Sequence, residues 1–72
     1  MNTYLCPIDD MQSDAPYIER VQANSLSDAR DKIEEKLRYE YNLPVTGSWF
    51  DFVKAIAEEE VYIGDIYDKE EF

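Results

Sequence analysis

The strongest constraint on the fold of this chain is an apolar stripe in residues 24–41. Its members recur at spacings of three and four residues, the period of one face of an α-helix; they are Leu26, Ala29, Ile33, Leu37 and Tyr41. Ser25 precedes the stripe as a helix cap, and Asp28 follows three positions later, as in a capping box. Asn42 and Pro44 then end the pattern. The stretch predicts an amphipathic helix that buries one face against other elements.

Two β-rich segments precede this helix, at residues 3–8 and 17–23. Both contain β-branched and aromatic residues, and a polar connection at residues 9–16 joins them as in a β-hairpin. Pro7 lacks a backbone N–H, so it predicts an edge position or a strand end for the first segment. These segments predict two antiparallel strands that are neighbours in a sheet.

The last third of the chain predicts a second helix and a third strand. Residues 48–60 begin with a capping serine, Ser48, and carry apolar residues at helical spacing; these are Trp49, Phe52, Val53 and Ile56. Residues 60–67 have the composition of a strand that is interrupted by Gly64. A glycine inside a strand predicts a bulge or the close approach of another backbone.

The order of these elements, β-β-α-α-β, predicts an α+β fold of two layers. We expect a three-stranded antiparallel sheet in the order 2-1-3. A right-handed crossover places both helices on one face of that sheet. The chain of 72 residues has room for one domain, which we assign to residues 1–72.

The other face of the predicted sheet is left uncovered. Leu5, Ile18 and Tyr62 are expected on this face, and Ile66 joins them or turns inward depending on the bulge. A solvated sheet face is normally polar, and this one is not. Two interpretations stay open: a register shift turns some of these residues inward, or the face is an apolar contact surface for a homodimer or another partner.

The composition disfavours catalysis. There is no histidine, so the most common proton-transfer group at neutral pH is missing and Cys6 has no imidazole to activate it. Neither glycine belongs to a phosphate-binding loop. Acid-rich stretches at residues 9–14 and 65–71 lack the EF-hand spacing and leave at most a weak calcium site on the surface. We therefore expect no enzymatic activity, no cofactor and no dedicated metal site.

The cysteine content and the hydropathy pattern bear on the cellular compartment. A single cysteine excludes an intramolecular disulfide, which a secreted domain of this size usually needs. No apolar run approaches the roughly 20 residues of a membrane span, and the N-terminus lacks the pattern of a secretory signal. A reducing, cytoplasmic location is expected.

The net charge of −10 is concentrated near the C-terminus, where residues 48–72 carry eight acids and two bases. Such acidity disfavours direct binding of nucleic acid and favours a basic protein partner. Carboxylates on a rigid scaffold can take the places of successive phosphates, and tyrosines are typical of protein interfaces. The residues predicted to bind the partner are Glu58, Glu59, Glu60, Tyr62, Asp65, Tyr67, Asp68, Glu70 and Glu71. The alternative is that these charges only confer solubility.

The stretch VQANSLSDARDKI at residues 21–33 resembles a strand-to-helix pattern, V-x-A-x-S-x-x-x-A, of small acidic accessory proteins of phages and mobile elements. The size, acidity and lack of catalytic residues are also similar to those of phage inhibitors of host defence, including anti-restriction and anti-CRISPR proteins. The resemblance implies an inhibitor that mimics nucleic acid in the cytoplasm of a host cell and occupies a basic nucleic-acid-binding surface of a host protein. The alternative function is a small homodimeric assembly module that uses the uncovered sheet face.

Overall fold

The computed structural model describes residues 1–11, 16–45 and 47–71, and only the backbone of residue 71. These residues form an antiparallel sheet of four strands and two α-helices. The elements in chain order are β1 (Asn2–Asp10), β2 (Tyr17–Ala23), α1 (Leu26–Tyr41), α2 (Trp49–Ala57), β3 (Val61–Ile63), β4 (Tyr67–Asp68) and a 3-10 turn (Lys69–Glu71). The predicted α+β fold is confirmed.

The strand β1 is central, and every other described strand pairs with it. On one side it pairs with β2, from Asn2 opposite Ala23 to Ile8 opposite Tyr17. On the other side β3 pairs with residues 8–10 of β1, and β4 pairs with residues 4–5. The predicted order 2-1-3 is confirmed. The predicted third strand is in fact two short strands, so the sheet has four strands among the described residues and not three.

Pro7 lies inside the central strand, so the prediction of an edge position or a strand end was wrong. The break between β3 and β4 lies opposite Pro7, whose carbonyl accepts a hydrogen bond of 2.8 Å from the Gly64 N–H. The N and O atoms of a strand residue point to the same neighbour, so the missing N–H faces this break and no regular ladder bond is lost. The close approach predicted at Gly64 is also observed, since a Cβ there would lie 3.3 Å from the Cβ of Pro7.

The core lies between the sheet and the two helices. Tyr4, Cys6 and Ile8 form the buried row of β1. The main core cluster combines this row with both helices and β3; it contains Cys6, Ile8, Ile33, Leu37, Phe52, Ile56 and Val61. The shortest dimension of the molecule is 17 Å, in keeping with one helix layer on one sheet. The stripe predicted for the first helix is buried at its centre, while Leu26 at its start is 39% exposed.

Both helices begin with the predicted serine caps. The Ser25 hydroxyl accepts a hydrogen bond of 3.1 Å from the Asp28 N–H, and the Ser48 hydroxyl accepts one of 3.2 Å from the Asp51 N–H. The Asp28 carboxylate in turn accepts from the Asn24 N–H at 3.0 Å. These bonds satisfy backbone donors that have no partner within the helix, so the caps define where each helix starts.

We expect Ser25→Ala to lower the free energy of unfolding by about 1 kcal/mol, because the Asp28 N–H loses its acceptor at the start of α1. The control is Ser27→Ala in the same turn, at an exposed position, which should change stability by less than about 0.5 kcal/mol. Urea denaturation followed by circular dichroism measures both values. Equal losses for the two variants would contradict the capping role.

Candidate functional site

Exposed carboxylates follow one long side of the sheet, which we call the acidic edge. The strands β3 and β4 form this side. Because Val61 pairs with Asp10 and Asp68 pairs with Tyr4, the side extends along β1 for about 20 Å at the usual rise of a strand. The exposed acids of the edge are Glu58, Glu59, Glu60, Asp65 and Glu70. The fold thus spreads the C-terminal charge along a line.

Three of these acids occupy a turn whose local structure does not favour them. Glu58, Glu59 and Glu60 follow the C-terminus of α2, where the helix dipole repels a carboxylate, and Lys54 in the last turn offsets only part of this. Glu60 also has a φ of 63°. That left-handed conformation costs an L-residue about 1–2 kcal/mol and is usually taken by glycine or asparagine. Local stability therefore does not account for three consecutive glutamates.

The two tyrosines of the predicted site lie on the sheet face that the helices leave uncovered. Tyr62 is 50% exposed and stands opposite Asp9 of β1. Tyr67 is half-buried and stands opposite Leu5. Their rings therefore adjoin the acidic edge from the side of the open face, where a partner that contacts the acids also meets aromatic surface.

Asp68 does not belong to this surface, although the sequence placed it there. It is only 9% exposed, and its carboxylate accepts two hydrogen bonds of 2.9 Å, one from the Asn2 side chain and one from the Glu70 N–H. These bonds tie the 3-10 turn to the beginning of β1. The side chain of Glu71, also predicted to bind the partner, lies outside the described part of the chain.

The open sheet face carries the three residues that the alternation placed there. Tyr4, Cys6 and Ile8 point towards the helices, so Leu5 lies on the opposite side of β1. Ile18 and Tyr62 are 56% and 50% exposed, and Leu5 is half-buried. Ile66 instead packs against the core. No register shift turns Leu5, Ile18 or Tyr62 inward.

Two residues that were not assigned to a site from the sequence lie beside these surfaces. Asp9 is exposed and stands opposite Tyr62, so it extends the acidic edge onto the open face. Pro7 stands opposite Ile18 and shares the face with Leu5. The alternation within the first predicted strand already indicates the position of Pro7, and continuing it beyond residue 8 would have indicated that of Asp9.

Three side chains, Cys6, Tyr17 and Tyr41, have raised pKa values. Burial raises the pKa of the Cys6 thiol to about 12, with a further contribution from Glu19. The Tyr41 hydroxyl donates a hydrogen bond of 2.7 Å to Asp10, and burial together with this bond raises the pKa of Tyr41. Burial also raises the pKa of Tyr17. The thiol is thus protonated and inert as a nucleophile at neutral pH.

These groups make stability fall at alkaline pH. Each holds its proton more tightly in the folded chain, so between the unfolded and folded pKa values the folded state binds more protons and stability decreases as the pH rises. For Cys6 this window runs from the ordinary pKa of 9.0 to about 12. We expect the Tm to fall progressively above that lower limit in thermal melts recorded at increasing pH.

Cys6→Ala is the control variant, because it removes the thiol ionisation. Its slope of Tm against pH should be shallower than that of the parent, whatever its absolute Tm. Identical slopes in the two proteins would show that the thiol does not contribute.

The described residues contain no group of three or more cysteine, aspartate or glutamate side chains that could hold a metal ion. No helix in the described part of the chain is both long and apolar enough to cross a membrane. Comparison of the chain with protein-family models, with curated proteins and with solved structures finds no match. A function therefore has to be inferred from the residues and their geometry.

We expect Glu60→Gly to raise the free energy of unfolding by about 1 kcal/mol, because glycine adopts the left-handed conformation without a steric cost and carries no charge at the end of α2. Glu59→Gly, at the preceding position without a positive φ, should destabilise the protein instead. Chemical denaturation compares the two variants. A loss of stability in Glu60→Gly would contradict the assigned strain.

Proposed function

We propose that this chain is a non-catalytic protein-binding module whose acidic edge occupies a basic, nucleic-acid-binding surface of another protein, in the manner of a phage inhibitor of a host protein. The observation that carries the proposal is the line of exposed carboxylates along β3 and β4, which includes Glu58, Glu59 and Glu60 in a turn that local stability disfavours. Strained backbone conformations, such as that of Glu60, are found disproportionately at functional sites.

A nucleic acid strand presents a row of phosphates to the proteins that bind it, and the acidic edge presents a row of carboxylates. The acidic edge distributes its carboxylates over about 20 Å on regular secondary structure and turns that are hydrogen-bonded to it. A groove lined with lysine and arginine can therefore contact several of these groups at once. The field of a chain with a net charge of −10 also accelerates the encounter.

A binding role fits the chemistry of the remaining residues. The chain has no histidine, and its single thiol is completely buried with a raised pKa. Nucleophilic catalysis needs an accessible group that is activated by a neighbouring base or by a lowered pKa, and Cys6 has neither.

The experiment that tests the proposal is capture of partners from bacterial lysate by the parent chain and by a variant with a neutralised edge. The edge variant combines Glu59→Gln, Asp65→Asn and Glu70→Gln, which leaves buried Asp68 untouched. The control variant combines Asp31→Asn, Glu35→Gln and Glu40→Gln, at exposed positions of α1 with the same change in charge. We expect a nucleic-acid-binding protein that the parent and the control retain and the edge variant loses.

Two further observations decide whether the captured protein is a target of mimicry. Binding should weaken steeply as the salt concentration rises, because exposed ion pairs are screened. Duplex DNA or RNA that the captured protein binds should compete with the chain for it. Equal retention by the edge variant, or binding that nucleic acid does not affect, would contradict the proposal.

A homodimeric assembly module is the second candidate function, and the exposure of Ile18 and Tyr62 on the open sheet face favours it. The charge opposes it, because two copies with a net charge of −10 repel each other. Light scattering over a range of protein concentrations tests this candidate. A dimer that persists at high salt and dissociates in Tyr62→Glu would support it over the inhibitor.

A further inference from the structure

The sheet face opposite the helices presents a continuous patch of apolar and aromatic side chains, which we call the open apolar face. Its members are neighbours in the sheet. Pro7 stands opposite Ile18, and Leu5 stands opposite Tyr67. Tyr62 stands opposite Asp9, the next residue of β1 after Pro7 on this face. The members are Leu5, Pro7, Ile18, Tyr62 and Tyr67. Ile18 and Tyr62 are at least half exposed, so this patch is in contact with solvent in the isolated chain.

The dimensions of this face match one α-helix. The patch crosses three strand positions, which at a spacing of about 4.8 Å gives a width of about 10 Å between the outer strands. That is about the diameter of a helix with its side chains. Along β1 the patch extends from Leu5 to the level of Asp9, or about 14 Å, which corresponds to about nine residues of helix.

The charges around the face favour a helix that carries basic residues. Asp9 lies on the face itself beside Tyr62, and Asp65 and Glu60 are exposed along the adjoining acidic edge. Arg20, opposite Leu5, is the one cation among the described residues of the sheet strands. A second copy of this chain would bring a like set of acids against these groups, with Arg20 on the sheet and Lys69 in the 3-10 turn to offset part of them. A helix with lysines or arginines along one flank complements them.

We infer that the open apolar face binds a basic amphipathic helix of the partner, with the apolar stripe of that helix on Leu5, Ile18 and Tyr62 and its cationic flank against the acidic edge. This inference rests on the proposed function and adds the structural element that the partner presents. An apolar centre bordered by charge is the usual anatomy of a protein interface, and a helix in such a place adds a third layer on the exposed side of the sheet.

Two synthetic peptides test the inference against the isotopically labelled chain by NMR. The first is a helix of leucines and lysines about 18 residues long with all leucines on one face. The second has the same composition in a scrambled order without an apolar face. We expect the amphipathic peptide to shift the backbone amides of Leu5, Ile18 and Tyr62 together with those of Glu59 and Asp65, and the scrambled peptide to shift only those of the acidic edge.

Two double variants measure the contribution of the face. Ile18→Thr with Tyr62→Thr removes apolar contacts while keeping residues that favour strands, and should weaken binding of the amphipathic peptide by about tenfold or more. Val45→Thr with Phe50→Gln is the control, because it replaces an aliphatic and an aromatic residue that are 78% and 71% exposed away from the sheet. The control should bind as the parent does.

The outcomes separate this inference from the proposed function. If neither peptide shifts the backbone amide signals of the open apolar face, the inference is overturned. The capture experiment still decides the proposed function in that case. If the amides of the open face shift with the concentration of the chain alone, the occupant is a second copy and the inference is also overturned. Shifts on the face that the Ile18 and Tyr62 variant loses and the control keeps support it.

Discussion

The structure depends on the burial of one row of β1 beneath both helices. Cys6 and Ile8 of this row pack with Ile33 of α1 and with Phe52 of α2 in a single core cluster. Since every other described strand pairs with β1, this contact holds the two layers together and determines which face of the whole sheet is covered. Both helices pack on the covered side of the sheet, so the opposite face is open among the described residues.

The acidic edge arises from the way the chain passes Pro7. Because this residue has no N–H to donate, the third strand position is interrupted there, and the chain continues through residues 64–66 before it returns as β4. Gly64 allows the close approach to Pro7, Asp65 remains exposed, and Ile66 packs inward. The interruption thus places an exposed carboxylate near the middle of the edge, between the glutamate turn at one end and the 3-10 turn at the other.

The acidic edge and the open apolar face both carry a physical cost. Three glutamates at the C-terminus of α2 oppose the helix dipole, and exposed Ile18 and Tyr62 lose the gain that burial would give. The two surfaces adjoin each other at Asp9 and Tyr62. Costs that fall on one side of a small molecule are readily explained by a partner that covers this side, with the apolar groups at the centre and the charges at the rim.

Helical spacing, serine caps and strand alternation are local properties of the backbone, so the residues alone predicted both helices and placed Leu5, Ile18 and Tyr62 on the open face. The strand order followed from the order of the elements and the rules for connecting them. The sequence also located the acids, but not which of them are accessible. The burial of Asp68 could not be predicted in this way, since its hydrogen bond to Asn2 joins residues that are 66 positions apart. The central position of Pro7 and the division of the third strand could not be predicted either. Both depend on which strands pair and in what register, and the pairing of two distant segments leaves no periodic signal in the sequence of either segment.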